Sequence, residues 1–350
     1  MPKATVEAPS NIALVKYWGA KDLDRAIPYA PSVSMTLREC RTQTTVEFRK
    51  GDDRPDEVLL ETEAGTLESA DEDFRDPIVR HLDRLREWAD CSGACRVATR
   101  NSFPKAAGIA SSASGFAALT LATARAFGRD PDATESSVLA RRSGSGSAAR
   151  SVWGGYVLWP RQSSGSSPRR PSGSSPRQPS GDEAAAAQLF PADHWDLRDV
   201  IAVVDTEAKT VSSREGHRRA PTSPFFDTRL DHLGERLGTV RSALRDRDMV
   251  RLGEAVERDG IELHLIAMSS APPIYYWKPA TLVVLEAVRE LRASGVAAYA
   301  TMDAGANVHV ICPAADEVQI ANRLDAIPEV HHTIRDGVGG GPTADVPPLF

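Results

Sequence analysis

Asn101 to Phe116 reads NSFPKAAGIASSASGF, a run of small and hydroxyl side chains that leads directly into an apolar segment ending at Phe127. Pro104, Gly108, Ser111, Ser112, Ala113 and Gly115 keep the turn narrow, so a backbone built from them can approach a guest closely. The segment that follows is helical in pattern. A helix start offers unpaired N–H groups and the positive end of a dipole, so the expected arrangement is a nest of amides and the expected guest a phosphate. A serine-capped helix after an ordinary loop would share part of this pattern.

Working outward, the first half alternates strand and helix signals. Ala4–Ala8, Ser34–Leu37 and Thr42–Phe48 are β-rich, Asp76–Trp88 places Ile78, Leu82, Leu85 and Trp88 at helical spacing, and a further helix opens near Ser136. Gly154–Leu158 reads as a buried strand. Residues 163–181 interrupt this with a repeat, SGSSPRRP then SGSSPRQP. Such a segment buries too little apolar surface to offset its ordering entropy and is expected to be a disordered insertion. Beyond it come strand Val200–Val204, helices over Asp227–Asp246, Met249–Ala267 and Pro279–Ser294, strand Ala297–Met302, a turn Asp303–Ala306, strand Val308–Cys312 and helix Ala315–Leu324. This order implies an α+β sandwich. Glycines 337–341 and the last prolines read as a terminal loop or tail.

Bulk properties exclude several classes. The 350 residues leave room for two lobes with a real core, and a formal charge of −6 offers no basic surface for nucleic acid. Four cysteines are scattered without zinc-ligand spacing, so reduced thiols are expected. No apolar run approaches the ~20 residues of a membrane span and the N-terminus has no signal core, which points to a cytoplasmic protein.

Three further constellations carry chemistry. In APSNIALVKYWGAKD (8–22), Lys16 sits in an apolar run where an unpaired ammonium is expensive, so it must reach either the surface or an anionic partner in a cleft. In SGSGSAARS (143–151), Arg150 supplies a planar fork suited to carboxylate or phosphate. In ATMDAGAN (300–307), Asp303 stands at a strand end before a glycine turn, a place for a catalytic carboxylate or for a routine turn residue.

Together and in this order, NIALVKYWG (11–19), SVSMTL (32–37), FPKAAGIASSASGFAAL (103–119), SGSAARSVWGGYV (145–157), SSREG (212–216) and MDAGANVHV (302–310) resemble the diphosphomevalonate decarboxylase family of the GHMP kinase superfamily. The resemblance covers most of the chain outside 160–190. It implies a two-lobed fold, with a ribosomal-protein-S5-like, ATP-binding N-terminal lobe over 1–190 and a ferredoxin-like α/β sandwich lobe over 191–350. ATP, Mg²⁺ and a phosphorylated mevalonate would share the cleft between them, in a homodimer without nucleic-acid or membrane partners.

Carried over by position, Asp303 is the base or orienter of the substrate hydroxyl. Arg150 clamps the substrate carboxylate, and Lys16 supports phosphoryl transfer and lowers the Asp303 pKa. Tyr17, Ser147, Asn11 and Ser213 contact substrate, with Asn11 expected beside Lys16. Pro104, Gly108, Ala110, Ser111, Ser112, Ala113 and Ser114 cradle ATP, and the Ser112 hydroxyl assists Mg²⁺. The chain departs from the family at Ala20, where a phosphate-binding lysine is usual, although Lys21 follows it; a second phosphate-binding arginine is expected near Phe74–Arg75. The missing cation favours 5-phosphomevalonate, giving isopentenyl phosphate. The alternatives are the 5-diphosphate, giving isopentenyl diphosphate, and a mevalonate 3-kinase that stops after phosphorylation.

Overall fold

In the computed structural model, residues 2–62, 64–103, 111–160, 184–207, 209–344 and 346–350 are described. Two long antiparallel strands, Lys3–Val15 and Ser32–Lys50, form the spine of the first sheet, paired from Lys3 opposite Glu47 to Val15 opposite Val33 with register shifts after Pro9 and after Ala13. Gly93–Asn101 pairs antiparallel with Ser32–Lys50, Glu57–Glu61 lies parallel beside it, and Tyr156–Trp159 adds to the Ser32–Met35 end. Helices α1 (Glu72–Ala89), α2 (Ser111–Ala126) and α3 (Ala133–Arg141) belong to this half. Helix α1 starts four residues earlier than its apolar spacing suggests, because the Asp71 side chain accepts from the Phe74 amide and caps it. Alanines 117, 118 and 122 let α2 lie close on the sheet.

The second sheet is antiparallel, in the order Tyr299–Thr301, Val308–Pro313, Leu197–Val203, His332–Gly337. Leu197–Val203 is buried along nearly its whole length, because both of its faces are covered by helices. Val200 and Ala202 meet α7 (Pro279–Ala293) and α8 (Glu317–Asp325), while Leu197 and Ile201 meet α5 (Phe226–Asp246) and α6 (Met249–Ser269). The α5–α6 pair is shared between the sheets, since Leu237, Val240, Leu244 and Val256 also pack with Ile12, Leu14, Met35 and Leu37. A short α4 (Ser213–Arg219) precedes them. The architecture is two-lobed α+β, as its pattern implies.

One expectation is corrected. The glycines from 337 onward are not a tail: the Gly339 amide donates to Thr36, its carbonyl accepts from Gly155, and Thr343–Ala344 pairs with Val6–Glu7 in the first sheet. Asp336 anchors this return, its buried carboxylate accepting from the amides of Arg38, Glu39 and Cys40. The expected insertion at 163–181 lies outside the described residues. All four cysteines are free thiols, and no helix among the described residues is long and apolar enough to cross a membrane.

Candidate active site

A cleft of about 810 Å³ opens where the two halves meet. Lys16 enters it from the first residue beyond the Lys3–Val15 strand, and Asp303 from the turn after Tyr299–Thr301. The Lys16 Nζ donates to Asp303 Oδ1 at 2.7 Å; the lysine side chain is 1 % exposed and the aspartate 26 %. Burial alone would raise the Asp303 pKa, but the charge of Lys16, then His309 and Arg150, outweighs it and holds the carboxyl below its usual range. Asp303 Oδ2 has no protein partner among the described residues.

Arg150 follows the tight turn Gly146–Ala149 and is almost fully buried. Its Nε donates to Asn11 Oδ1 at 3.1 Å and its Nη1 to Ser32 Oγ at 2.6 Å, which leaves Nη2 for the cleft. Burial lowers its pKa to about 10, so it stays protonated at neutral pH. Asn11 therefore stands behind Arg150 rather than beside Lys16 as expected, with Nδ2 donating to Ser151 Oγ at 2.7 Å. Tyr17 lies against Gly146, where a Cβ would come within 2.6 Å of the tyrosine ring, so only glycine allows this approach. On its other side Tyr17 stacks on His217, centroids 4.1 Å apart. The His217 Nδ1 accepts from the Gly19 amide, and burial, reinforced by Arg150, holds its pKa down to about 3. It is a neutral imidazole with the proton on Nε2.

Serine hydroxyls line the other end. Ser145 Oγ lies 3.3 Å from Ser112 Oγ and 3.2 Å from Ser147 Oγ, joining the start of α2 to the Gly146 turn. Ser111 also lines the cleft, whereas Ala113 is fully buried and the Ser114 hydroxyl turns to Thr42 at 2.7 Å, toward the sheet. Pro104, Gly108 and Ala110 lie outside the described residues. Ser213 lines the cleft and accepts from Lys209 Nζ at 3.0 Å, while Lys209 also donates to the Ala304 carbonyl. Arg214 donates to Asp24 Oδ1 at 2.6 Å, both at the cleft wall.

Residues 8–169 match the diphosphomevalonate decarboxylase-like N-terminal domain and residues 199–343 the mevalonate 5-diphosphate decarboxylase C-terminal domain. A diphosphomevalonate decarboxylase of Aspergillus fumigatus is 34 % identical over 93 % of this chain and 80 % of its own length. The phosphomevalonate decarboxylase of Haloferax volcanii is 34 % identical over 88 % and 87 %. A solved structure of MDDEF in complex with MVAPP, AMPPCP and magnesium superposes with a TM-score of 0.84 at 34 % identity, covering 98 % of each chain. The chain belongs to the diphosphomevalonate decarboxylase family.

For a member of this family, the cations of the cleft are distributed unexpectedly. Arg75 faces away, bound to Asp76 at 2.9 Å on the outer surface, and Lys21 lies over the Tyr29 ring, so neither lines the cleft. Arg80 and Arg84 of α1 line it instead. Their spacing, one turn apart and off the Ile78–Leu82–Leu85 stripe, was available in the sequence as a signal for a second working face. Arg214 belongs to the SSREG segment and Lys209 and His217 lie just either side of it, in the connection between the Leu197–Val203 strand and α5. As to Mg²⁺, no cluster of three carboxylate, histidine or cysteine ligands exists among the described residues. The hydroxyls of Ser112 and Ser145 are hard oxygen donors, and this set fits an ion carried mainly by phosphates and water.

Proposed function

We propose that this protein is an ATP-dependent decarboxylase of 5-phosphomevalonate, yielding isopentenyl phosphate, ADP, phosphate and CO₂. The observation that carries the reaction class is the 2.7 Å Lys16–Asp303 pair with Arg150 beside it in one cleft. Asp303 Oδ2 accepts the proton of the tertiary hydroxyl as that oxygen bonds to the terminal phosphorus of ATP, whose bond to ADP breaks. Lys16 supplies positive charge where the transferring phosphoryl group gathers negative charge. Loss of phosphate from C3 leaves an electron-poor carbon; the C1–C2 bond then breaks, its electron pair forms the C2–C3 alkene, and CO₂ departs. Arg150 Nη2 holds the carboxylate until that step. Its other nitrogens are fixed by Asn11 and Ser32, so it enters the reaction already oriented.

Tyr17, Ser147 and Ser213 border the substrate, with Asn11 acting through Arg150. Ser111, Ser112 and the α2 amides face the ATP phosphates. Mg²⁺, held by those phosphates with Ser112 and Ser145 as neighbours, would neutralise phosphate charge. A single 5-phosphate is favoured because Arg214 is already partnered by Asp24, position 20 carries no cation, and Lys21 and Arg75 lie outside the cleft. A second phosphate would be desolvated there with only the α1 arginines, Arg80 and Arg84, left to meet it. We assign the protein to the cytoplasm and to homodimers on the family resemblance.

The test is ATP-dependent CO₂ release from 5-phosphomevalonate and 5-diphosphomevalonate, compared as kcat/KM. A strong preference for the monophosphate supports the reading, and a strong preference for the diphosphate restores the alternative product, isopentenyl diphosphate. ADP formation without CO₂ from either, or from mevalonate itself, would make the protein a 3-kinase.

A further inference from the structure

Lys16 is gripped by its backbone as well as by its side chain. It lies just past the end of its strand, and both of its main-chain groups are taken by helices of the other half. Its N–H donates to Asp259 Oδ2 of α6 at 2.6 Å, and its C=O accepts from Arg229 Nη2 of α5 at 3.3 Å. Asp259 is fully buried and saturated: Arg229 reaches both of its oxygens, at 3.1 and 3.2 Å, and Arg236 reaches Oδ1 at 3.2 Å. Glu262 closes the cluster with two 2.6 Å bonds from Arg236. Two positive and two negative groups cancel, so the cluster contributes no net charge to the cleft. Buried ion pairs are often no more stabilising than apolar packing of the same volume, so stability is a weak reason for this arrangement.

The same stretch of α6 also holds Asp303. At Gly260, the next residue, an added Cβ would lie 2.9 Å from Thr301 Oγ1 and 3.3 Å from the Met302 amide, so the helix rests directly on the backbone leading to Asp303. One turn later, buried His264 lies beside Asp303. Residues 259–264 thus touch both backbones whose side chains make the Lys16–Asp303 pair, although the two come from different lobes.

We infer that Asp259 is a positioning residue that sets the Lys16–Asp303 separation, with α6 as the template on which both lobes are registered. Its consequence for turnover rests on the decarboxylase reading; its consequence for Lys16 does not. Two variants test it. Asp259→Ala removes the acceptor, and Asp259→Glu keeps every charge but lengthens the arm by one methylene. Leu324→Ala, in the α8 core, is the control for general loss of stability.

Lys16 exposure is read on the free protein, as the rate of acetylation of that lysine by an amine-reactive reagent followed by peptide mass spectrometry; kcat and KM are read by CO₂ release. In Asp259→Ala, Lys16 should label at least about tenfold faster, and kcat should fall about a hundredfold with KM for both substrates nearly unchanged, the cost of a misplacement of roughly 1 Å. Asp259→Glu should show the same pattern at smaller amplitude, and it decides the matter should the alanine variant not fold. Wild-type labelling of Lys16 in whichever variant is soluble would overturn the inference, as would an equal effect in Leu324→Ala. If the wild type releases no CO₂, the functional reading falls while the labelling still decides this one.

Discussion

Two charge clusters meet at Lys16, and they are built to opposite specifications. Behind the backbone, Asp259, Arg229, Arg236 and Glu262 satisfy one another so fully that both Asp259 oxygens are occupied. At the tip of the side chain, Lys16 gives Asp303 a single bond and leaves the other oxygen to the cleft. The closed cluster is inert because neither Asp259 oxygen remains for a guest. The open one is reactive because burial and partial pairing leave it one contact short. The same residue types serve as scaffold or reagent according to how completely they are paired.

The sharpest way to break this contrast is Asp303→Asn, which keeps the shape but removes the acceptor for a proton. It should lower kcat about a thousandfold or more with little change in KM, measured by CO₂ release. Arg150→Lys comes next. A point charge cannot keep its hold on Asn11 and Ser32 while reaching the cleft, so kcat/KM should fall roughly a hundredfold.

Lys16→Met tests the pairing itself through pH. Asp303 must be ionised to act, so activity is present above its pKa and is lost as pH falls through it. In the wild type that acid limb should lie below the usual carboxylate range, since Lys16 and its neighbours outweigh burial. With Lys16 gone, the largest charge opposing burial is lost and the limb of kcat/KM should move up in pH. An unmoved limb would mean that another group titrates. The smallest effect is expected from Ala20→Lys, which supplies the missing cation. It should shift the ratio of kcat/KM about tenfold toward the diphosphate, the worth of one charge-assisted hydrogen bond.

The reactive centre was legible because its residues announce themselves locally. A lysine in an apolar run, an arginine among serines and an aspartate before a glycine turn are each costly or distinctive where they stand. What escaped is what depends on relative orientation. Asn11 and Lys16 share one segment, but a register shift between Ala13 and Val15 separates them along the strand, so counting residues does not tell which neighbour each one meets. The arginine expected near Phe74–Arg75 was placed by position in the family pattern, and only the packing of α1 shows that Arg80 and Arg84 are the ones that line the cleft. The Gly93–Asn101 strand was missed because alanine, cysteine and threonine make up its buried positions apart from Val97, so its apolar signal is weak. The Asp259 cluster was invisible, since its four members become neighbours only when α5 and α6 pack.

The return of the C-terminal segment to the first sheet has a mechanical meaning. The chain passes between lobes once after the Ala187–Phe190 strand and again after Gly337, and the two crossings are tied together where the Val338 amide donates to the Leu197 carbonyl. A body hung from one strap can twist and slide, but one hung from two adjacent straps is left with a single bending axis. Since the α5–α6 pair packs on both sheets and Asp259 pins the floor of the cleft, the two straps help to hold the halves of the cleft in one register.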